Sequence, residues 1–166
     1  MSNINTISIA IIGCGFVADY YLTTLKNYPE LKITGVYDLD LARSQDFAQH
    51  HGVEIYQSLD ELLSDRQVQL VVNLTNPKSH FEINLACLLA DKHVYSEKPL
   101  AMELEEAEKL VAIAEQKGLH LSSAPCSLLG ETAQTIWKAL REEIVGKVYV
   151  VYSEMDDGLM HKMSYQ

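Results

Sequence analysis

Ile7-Ser-Ile-Ala-Ile-Ile-Gly13-Cys-Gly15-Phe-Val-Ala18 decides the fold. The first half of this stretch is a short, nearly continuous apolar run, the pattern of a strand buried on both faces. The second half is Gly-x-Gly-x-x-Ala, standing directly after that strand. Beyond it Val17, Tyr20, Tyr21, Thr24 and Leu25 recur at helical spacing until Asn27-Tyr28-Pro29 interrupts them. Gly13 permits a tight turn, Gly15 lets a pyrophosphate approach bare backbone, and Ala18 lets the helix lie close on the sheet. The helix N-terminus then faces an anion. Gly13, Gly15, Phe16, Val17 and Ala18 are therefore the candidate phosphate-binding residues, against the plain alternative that glycines at a strand end merely form a turn.

The same alternation spreads outward. Strands are expected over 31–37, 53–56, 70–74, 93–96 and 119–123, and helices over 41–50, 59–63, 80–90 and 104–117. Asp40 and Ser58 stand where N-caps belong, and Gly118 follows the last of these helices. Six strands joined by helices imply right-handed crossovers and an α/β fold, a doubly wound, mostly parallel sheet of the Rossmann type. From Pro125 the rhythm changes. A helix over 131–143 leads to Gly146, a long alternating run, Lys147-Val-Tyr-Val-Val-Tyr-Ser-Glu154, and a Met-rich tail over 159–166. The expected organisation is a dinucleotide-binding domain over 1–124 and the truncated start of a second α+β domain over 125–166. The chain is expected to stop inside something larger, with its last strand pairing with another chain or left unpaired.

With 166 residues, the chain has room for one domain and part of another. Its 13 basic and 23 acidic residues leave a net charge of −10, with no basic stripe to follow a phosphate backbone, so nucleic acid is excluded as a partner. Its apolar runs are too short for a membrane span, and no signal peptide is expected from its opening residues. Cys14, Cys87 and Cys126 form an odd set without CxxC spacing, which fits a reducing, cytoplasmic setting. The histidines lack paired ligand spacing, so no metal site is expected.

Asp38 ends the second strand, where a carboxylate grips both ribose hydroxyls of an adenosine; the bland reading is a loop cap. A carboxylate there repels a 2′-phosphate, favouring NAD over NADP, although Arg43 nearby is able to stack on adenine or reach a phosphate. A methyltransferase, which usually carries another acid near its first glycine, fits less well. A P-loop, which needs Gly-Lys-Ser/Thr, does not fit. Asn73-Leu-Thr75-Asn76-Pro77-Lys-Ser-His80 puts a polar burst at the end of the fourth strand, with Thr75, Asn76 and His80 as candidates for the cofactor's ribose and nicotinamide, or else as turn chemistry. Ser96-Glu97-Lys98-Pro99 ends the fifth. Lys98 is the candidate proton donor, oriented by Glu97; the alternative is a surface salt bridge.

In this order and spacing, Gly-x-Gly-x-x-Ala at 13–18, the acid at 38, Thr-Asn-Pro-x-x-His at 75–80 and Glu-Lys-Pro at 97–99 resemble the glucose-fructose oxidoreductase and inositol dehydrogenase (Gfo/Idh/MocA) family. The resemblance implies an NAD(P)-binding Rossmann domain, a cis Lys98–Pro99 bond and Lys98 as the catalytic lysine beside nicotinamide and substrate. It implies that Glu97 and Pro99, with Thr75, Asn76, Pro77 and His80, help place the cofactor. It also implies a second, mainly antiparallel sheet domain that builds the substrate pocket and a homo-oligomer interface, and that supplies a catalytic histidine; His161 does not lie in the family's acid-to-histidine motif. The function expected is hydride transfer between NAD and a carbonyl or alcohol of a sugar, polyol or related small molecule. The alternative is a dinucleotide-binding or regulatory module without catalysis.

Overall fold

In the computed structural model, which describes residues 6–154, the run 7–12 is the central strand β1 (Ile7–Ile12) of a parallel sheet. Around it stand β2 (Leu31–Tyr37), β3 (Leu70–Asn73), β4 (His93–Ser96) and β5 (Leu121–Ser123), in the order β2-β1-β3-β4-β5. Every pairing is parallel. Because side chains alternate across a strand, β1 feeds two cores. Ile9 and Ile11 pack with Ala18 and Leu22 of α1 (Phe16–Leu25) and Phe47 of α2 (Leu41–His51). Ala10 and Ile12 pack with Leu62 of α3 (Leu59–Ser64), Leu88 of α4 (His80–Leu89) and Leu110 of α5 (Leu104–Lys117). The sheet is thus covered by helices on both faces, which is why its central strand reads as unbroken apolar sequence. Each of these fully buried Ile and Leu side chains contributes roughly 1.5–3 kcal/mol.

Local signals explain where the helices begin and end. Asp40 Oδ1 accepts from the amides of Ala42 and Arg43 at 3.1 and 3.2 Å, and Ser58 Oγ accepts from Glu61 at 3.1 Å. Gly52 and Gly118 close α2 and α5 in the left-handed conformation, with φ of 69° and 66°.

Two expected strands are corrected. Residues 53–56 contribute a single parallel bridge, Ile55 to Val36, rather than a strand. Val36 N donates to Glu54 O and Tyr56 N to Val36 O, both at 2.9 Å, and there the ladder stops. The bridge places Ile55 beside the edge strand β2. Residues 147–154 form no strand among those described, and Tyr149, Val151 and Tyr152 are exposed. Alternation expresses packing on a half-buried pleated surface, and a run takes up strand structure only where a ladder partner is present. The chain divides into two compact units at Cys126/Ser127. In the second unit α6 (Glu131–Arg141) ends two residues short of the expected 143, and Glu143 stands at φ 54°. Trp137 is half exposed, with the Arg141 guanidinium 5.1 Å above its ring. His161 and the Met-rich tail lie outside the described residues.

Candidate active site

The carboxyl edge of the sheet gathers four loops. The turn 13–15 follows β1, Asp38 follows β2, the segment 74–79 follows β3, and Glu97-Lys98-Pro99 follows β4. The order β2-β1-β3 places consecutive crossovers on opposite sides of β1, which opens a crevice at that point.

The two glycines of the turn do different work. Gly13 has φ +95°, and a Cβ there would lie 2.7 Å from the carbonyl carbon and oxygen of Leu74 and 2.8 Å from Thr75 N. It is the point where the end of β3 closes against the turn. Gly15 is exposed, extended at φ −86° and ψ −174°, and a Cβ there would meet nothing within 4 Å. The space that its missing side chain leaves is open, directly before the first turn of α1. Gly15 provides no side-chain cap, so the first-turn amides of Phe16 and Val17 have no helical carbonyl to receive them. That is the donor set of an anion site, and a pyrophosphate fits it. Phe16 and Val17 are exposed at this mouth, whereas Ala18 is fully buried against the sheet.

Asp38 is 8% exposed, and its carboxylate spans the turn. Oδ2 accepts from Cys14 N and Oδ1 from Asp40 N, both at 2.9 Å. Both sequence readings therefore meet in one residue, because a carboxylate accepts about four hydrogen bonds and two here remain available. Arg43 lies 3.6 Å from Asp38 and 3.6 Å from Asp40, held between two acids. Cys14 is buried, and burial, with the Asp38 charge second, pushes its thiol up to about 12, so it stays protonated and inert at neutral pH.

The segment after β3 is ordered by a buried polar network that the sequence reading missed. Asn73 Oδ1 accepts from Thr75 N at 3.2 Å and from Thr75 Oγ1 at 2.7 Å, while its Nδ2 donates to Asn84 Oδ1 at 2.8 Å. Asn84 Nδ2 in turn donates to Ser96 Oγ at 3.1 Å and Leu100 O at 3.2 Å. Asn73, Asn84 and Ser96 are each 0% exposed, so this network ties the ends of β3 and β4 to the middle of α4. One signal was available: Asn84 stands one helical turn after His80, on the buried face of an apolar helix. Asn76 and Pro77 are exposed, and Pro77 opens a short 3-10 turn ahead of α4. His80, expected to face the cofactor, is turned inward instead, at 1% exposure. Its Nε2 lies 3.0 Å from Thr75 O and its Nδ1 against Pro99 O, so it joins the two loops from beneath.

Lys98 is exposed, and its ammonium has no hydrogen bond or ion pair among the described residues. The Lys98–Pro99 bond is cis, as the family resemblance implied. Glu97 Oε2 accepts from Lys98 N at 3.1 Å, and Glu97 Oε1 accepts from the Tyr21 hydroxyl at 2.8 Å. Among the described residues no helix is long and apolar enough to cross a membrane, and no metal-ligand cluster occurs.

The sequence model of an oxidoreductase family with an NAD-binding Rossmann fold, Gfo/Idh/MocA, matches residues 7–124. Trans-1,2-dihydrobenzene-1,2-diol dehydrogenase of Bos taurus is 29% identical over 154 residues, covering 91% of this chain and 46% of that protein. The crystal structure of GenD2 from gentamicin A biosynthesis, in complex with NAD, superposes with a TM-score of 0.78 at 25% identity, covering 84% of this chain and 40% of that one. Biliverdin reductase of Synechocystis sp., in complex with biliverdin and NADP+, gives 0.71 at 30% identity, covering 81% and 43%. The chain spans between 33% and 46% of the length of the curated relatives it matches. The glycine turn, the acid after β2 and the family match over the whole sheet agree, and the chain belongs to the Gfo/Idh/MocA family of NAD-binding Rossmann-fold oxidoreductases.

Proposed function

We propose that this chain binds NAD across the carboxyl edge of its sheet and serves hydride transfer to or from a carbonyl or alcohol carbon of a sugar, polyol or related small molecule. The convergence of the glycine turn, Asp38, the 74–79 segment and Lys98 on one edge carries the reading. The amides at Phe16 and Val17 hold the pyrophosphate, and the free lone pairs of Asp38 accept the adenosine ribose hydroxyls. Thr75, Asn76 and Pro77 line the nicotinamide side, with His80 holding that loop to Pro99 from below. The bound nicotinamide supplies or receives the hydride at C4. Lys98 gives a proton to the carbonyl oxygen on reduction, or takes it from the hydroxyl on oxidation, and Glu97 fixes the turn that carries Lys98. Residues 1–124 make the dinucleotide-binding domain and 125–166 the opening of the substrate domain. The same reading includes a homo-oligomer and a reducing cytoplasm, the latter in keeping with free thiols at Cys14 and Cys87. Oxidation of NADH by the chain with a panel of sugars and imines tests the activity. Turnover with any member of the panel would sink the non-catalytic module, and failure to bind NADH in calorimetry would overturn the nucleotide reading.

Gly15→Ala separates binding from folding. Its backbone is already in a region open to alanine, so the melting temperature is expected to stay within a few degrees or to rise slightly. A methyl in the pyrophosphate's path is expected to weaken NADH about five- to 150-fold, the equivalent of an overpacking cost of about 1–3 kcal/mol. Undiminished affinity by calorimetry would remove the phosphate from this turn.

NAD is expected to bind more tightly than NADP, because Asp38 repels a 2′-phosphate and Arg43 is neutralised by its two acidic neighbours. Asp38→Ser is expected to weaken NAD about tenfold, the loss of charge-assisted hydrogen bonds, and to narrow or invert the preference. Calorimetric titration of the unmodified chain with both nucleotides decides it, and a native preference for NADP sinks this reading of Asp38.

A further inference from the structure

Tyr21 stands one turn beyond Ala18 on α1, the helix whose first amides face the glycine turn. Its ring packs against the core formed by Ile9, Ile11, Leu22 and Val72. Its hydroxyl leaves that core and donates to Glu97 Oε1 at 2.8 Å, across 76 residues of sequence. The Tyr95 hydroxyl stands 3.5 Å away, at the limit of hydrogen-bonding reach. The other carboxylate oxygen of Glu97 is bound to the Lys98 amide. One carboxylate is therefore held by the phosphate helix on one side and by the lysine turn on the other. Two of its roughly four acceptor positions stay free. Burial first, then the bonds with Tyr95 and Glu97, push the Tyr21 phenol well above its ordinary value, so it remains a donor throughout the neutral range.

We propose that Tyr21 is a positioning residue for the nicotinamide end of the site, a latch from α1 that fixes the Glu97 carboxylate and with it the Glu97-Lys98-Pro99 turn. The inference rests on the dinucleotide reading above and adds to it a link between the two ends of the cofactor. The adenosine and pyrophosphate meet α1 and Asp38, whereas the nicotinamide half meets the turn after β4, and Tyr21 is the side chain that makes those two surfaces one rigid frame. A tyrosine that only filled space would be replaced by phenylalanine without consequence, since its ring occupies the same volume.

The test is calorimetry on the full chain with two probes, NADH and ADP-ribose, the second lacking the nicotinamide. Tyr21→Phe is expected to weaken NADH about tenfold, the loss of one hydrogen bond to a charged group. ADP-ribose is expected to change by less than about twofold. Glu97→Ala, which removes both acceptor oxygens, is expected to weaken NADH at least as much, and the double variant to bind no more weakly than Glu97→Ala alone, because Tyr21 acts through Glu97. Three results overturn the latch: native NADH affinity in Tyr21→Phe, equal losses for NADH and ADP-ribose, or losses that multiply in the double variant. An unmodified chain that binds neither probe overturns the nucleotide reading and the latch together, while one that binds ADP-ribose but not NADH overturns the latch alone.

Discussion

Gly13→Ala is expected to destabilise the fold by about 3–5 kcal/mol, a large share of the 5–15 kcal/mol that holds a typical domain together. Two causes add. At φ +95° a Cβ brings a backbone penalty of about 1–2 kcal/mol. The methyl would also lie 2.7 Å from the Leu74 carbonyl atoms and 2.8 Å from Thr75 N, all backbone atoms that no rotamer change moves aside. Relief requires either the end of β3 to draw back from β1, which breaks the bond from Leu74 N to Ile12 O at 2.8 Å, or the turn itself to shift, which breaks the one from Gly13 N to Tyr37 O at 2.8 Å. Denaturant unfolding of Gly13→Ala beside Gly15→Ala is the measurement. A loss under about 1 kcal/mol at Gly13, or equal losses at both glycines, would show that the turn gives way more easily than its contacts indicate.

Lys98→Met is expected to lower kcat by about 10²–10⁴, the usual share of a positioned proton donor, while NADH affinity stays within about twofold. Methionine keeps the length and apolar stem of the side chain and removes only the ammonium. Lys98 is exposed and its ammonium has no ion pair among the described residues, so the substitution breaks no contact that holds the site together. The loss should therefore be chemical rather than structural, with an unchanged melting temperature. Rates of NADH oxidation with whichever substrate the panel identifies, compared with calorimetric NADH affinity, separate the two. Turnover within about tenfold of the unmodified chain would take the proton-transfer role away from Lys98.

Much of this site was legible as sequence because its parts are local. Gly13, Gly15 and Ala18 announce themselves by spacing, since a strand end, a turn and a helix start are decided within a dozen residues by backbone freedom and apolar periodicity. Asp38 was legible for a related reason: it closes an apolar run, and a buried acid at a strand end needs partners. Asp40 and Ser58 acted as the caps their residue types suggest. The local rules failed at residues 53–56 and 147–154, where the apolar pattern was right for a strand and the ladder was missing or reduced to one bridge. Strand propensity describes what a segment does when a neighbour is present, and the neighbour is a matter of tertiary structure.

The positions of His80, Asn84 and Tyr21 show the same division from the side of the chemistry. The sequence placed His80 in a polar loop and suggested a ligand contact; packing buried it between the carbonyls of Thr75 and Pro99. Asn84 drew no reading from the sequence, and Tyr21 only one as a position at helical spacing. Each acquires a role only when β3, β4 and α1 are brought side by side, because a hydrogen bond across dozens of residues leaves no periodic trace in the chain. By itself the sequence determined the order of elements, the glycine turn and the acid after β2, all consequences of backbone sterics and burial acting over short spans. Tertiary structure alone decided which side chains meet at the carboxyl edge, because the parallel pairing of β1, β3 and β4 sets the distances there.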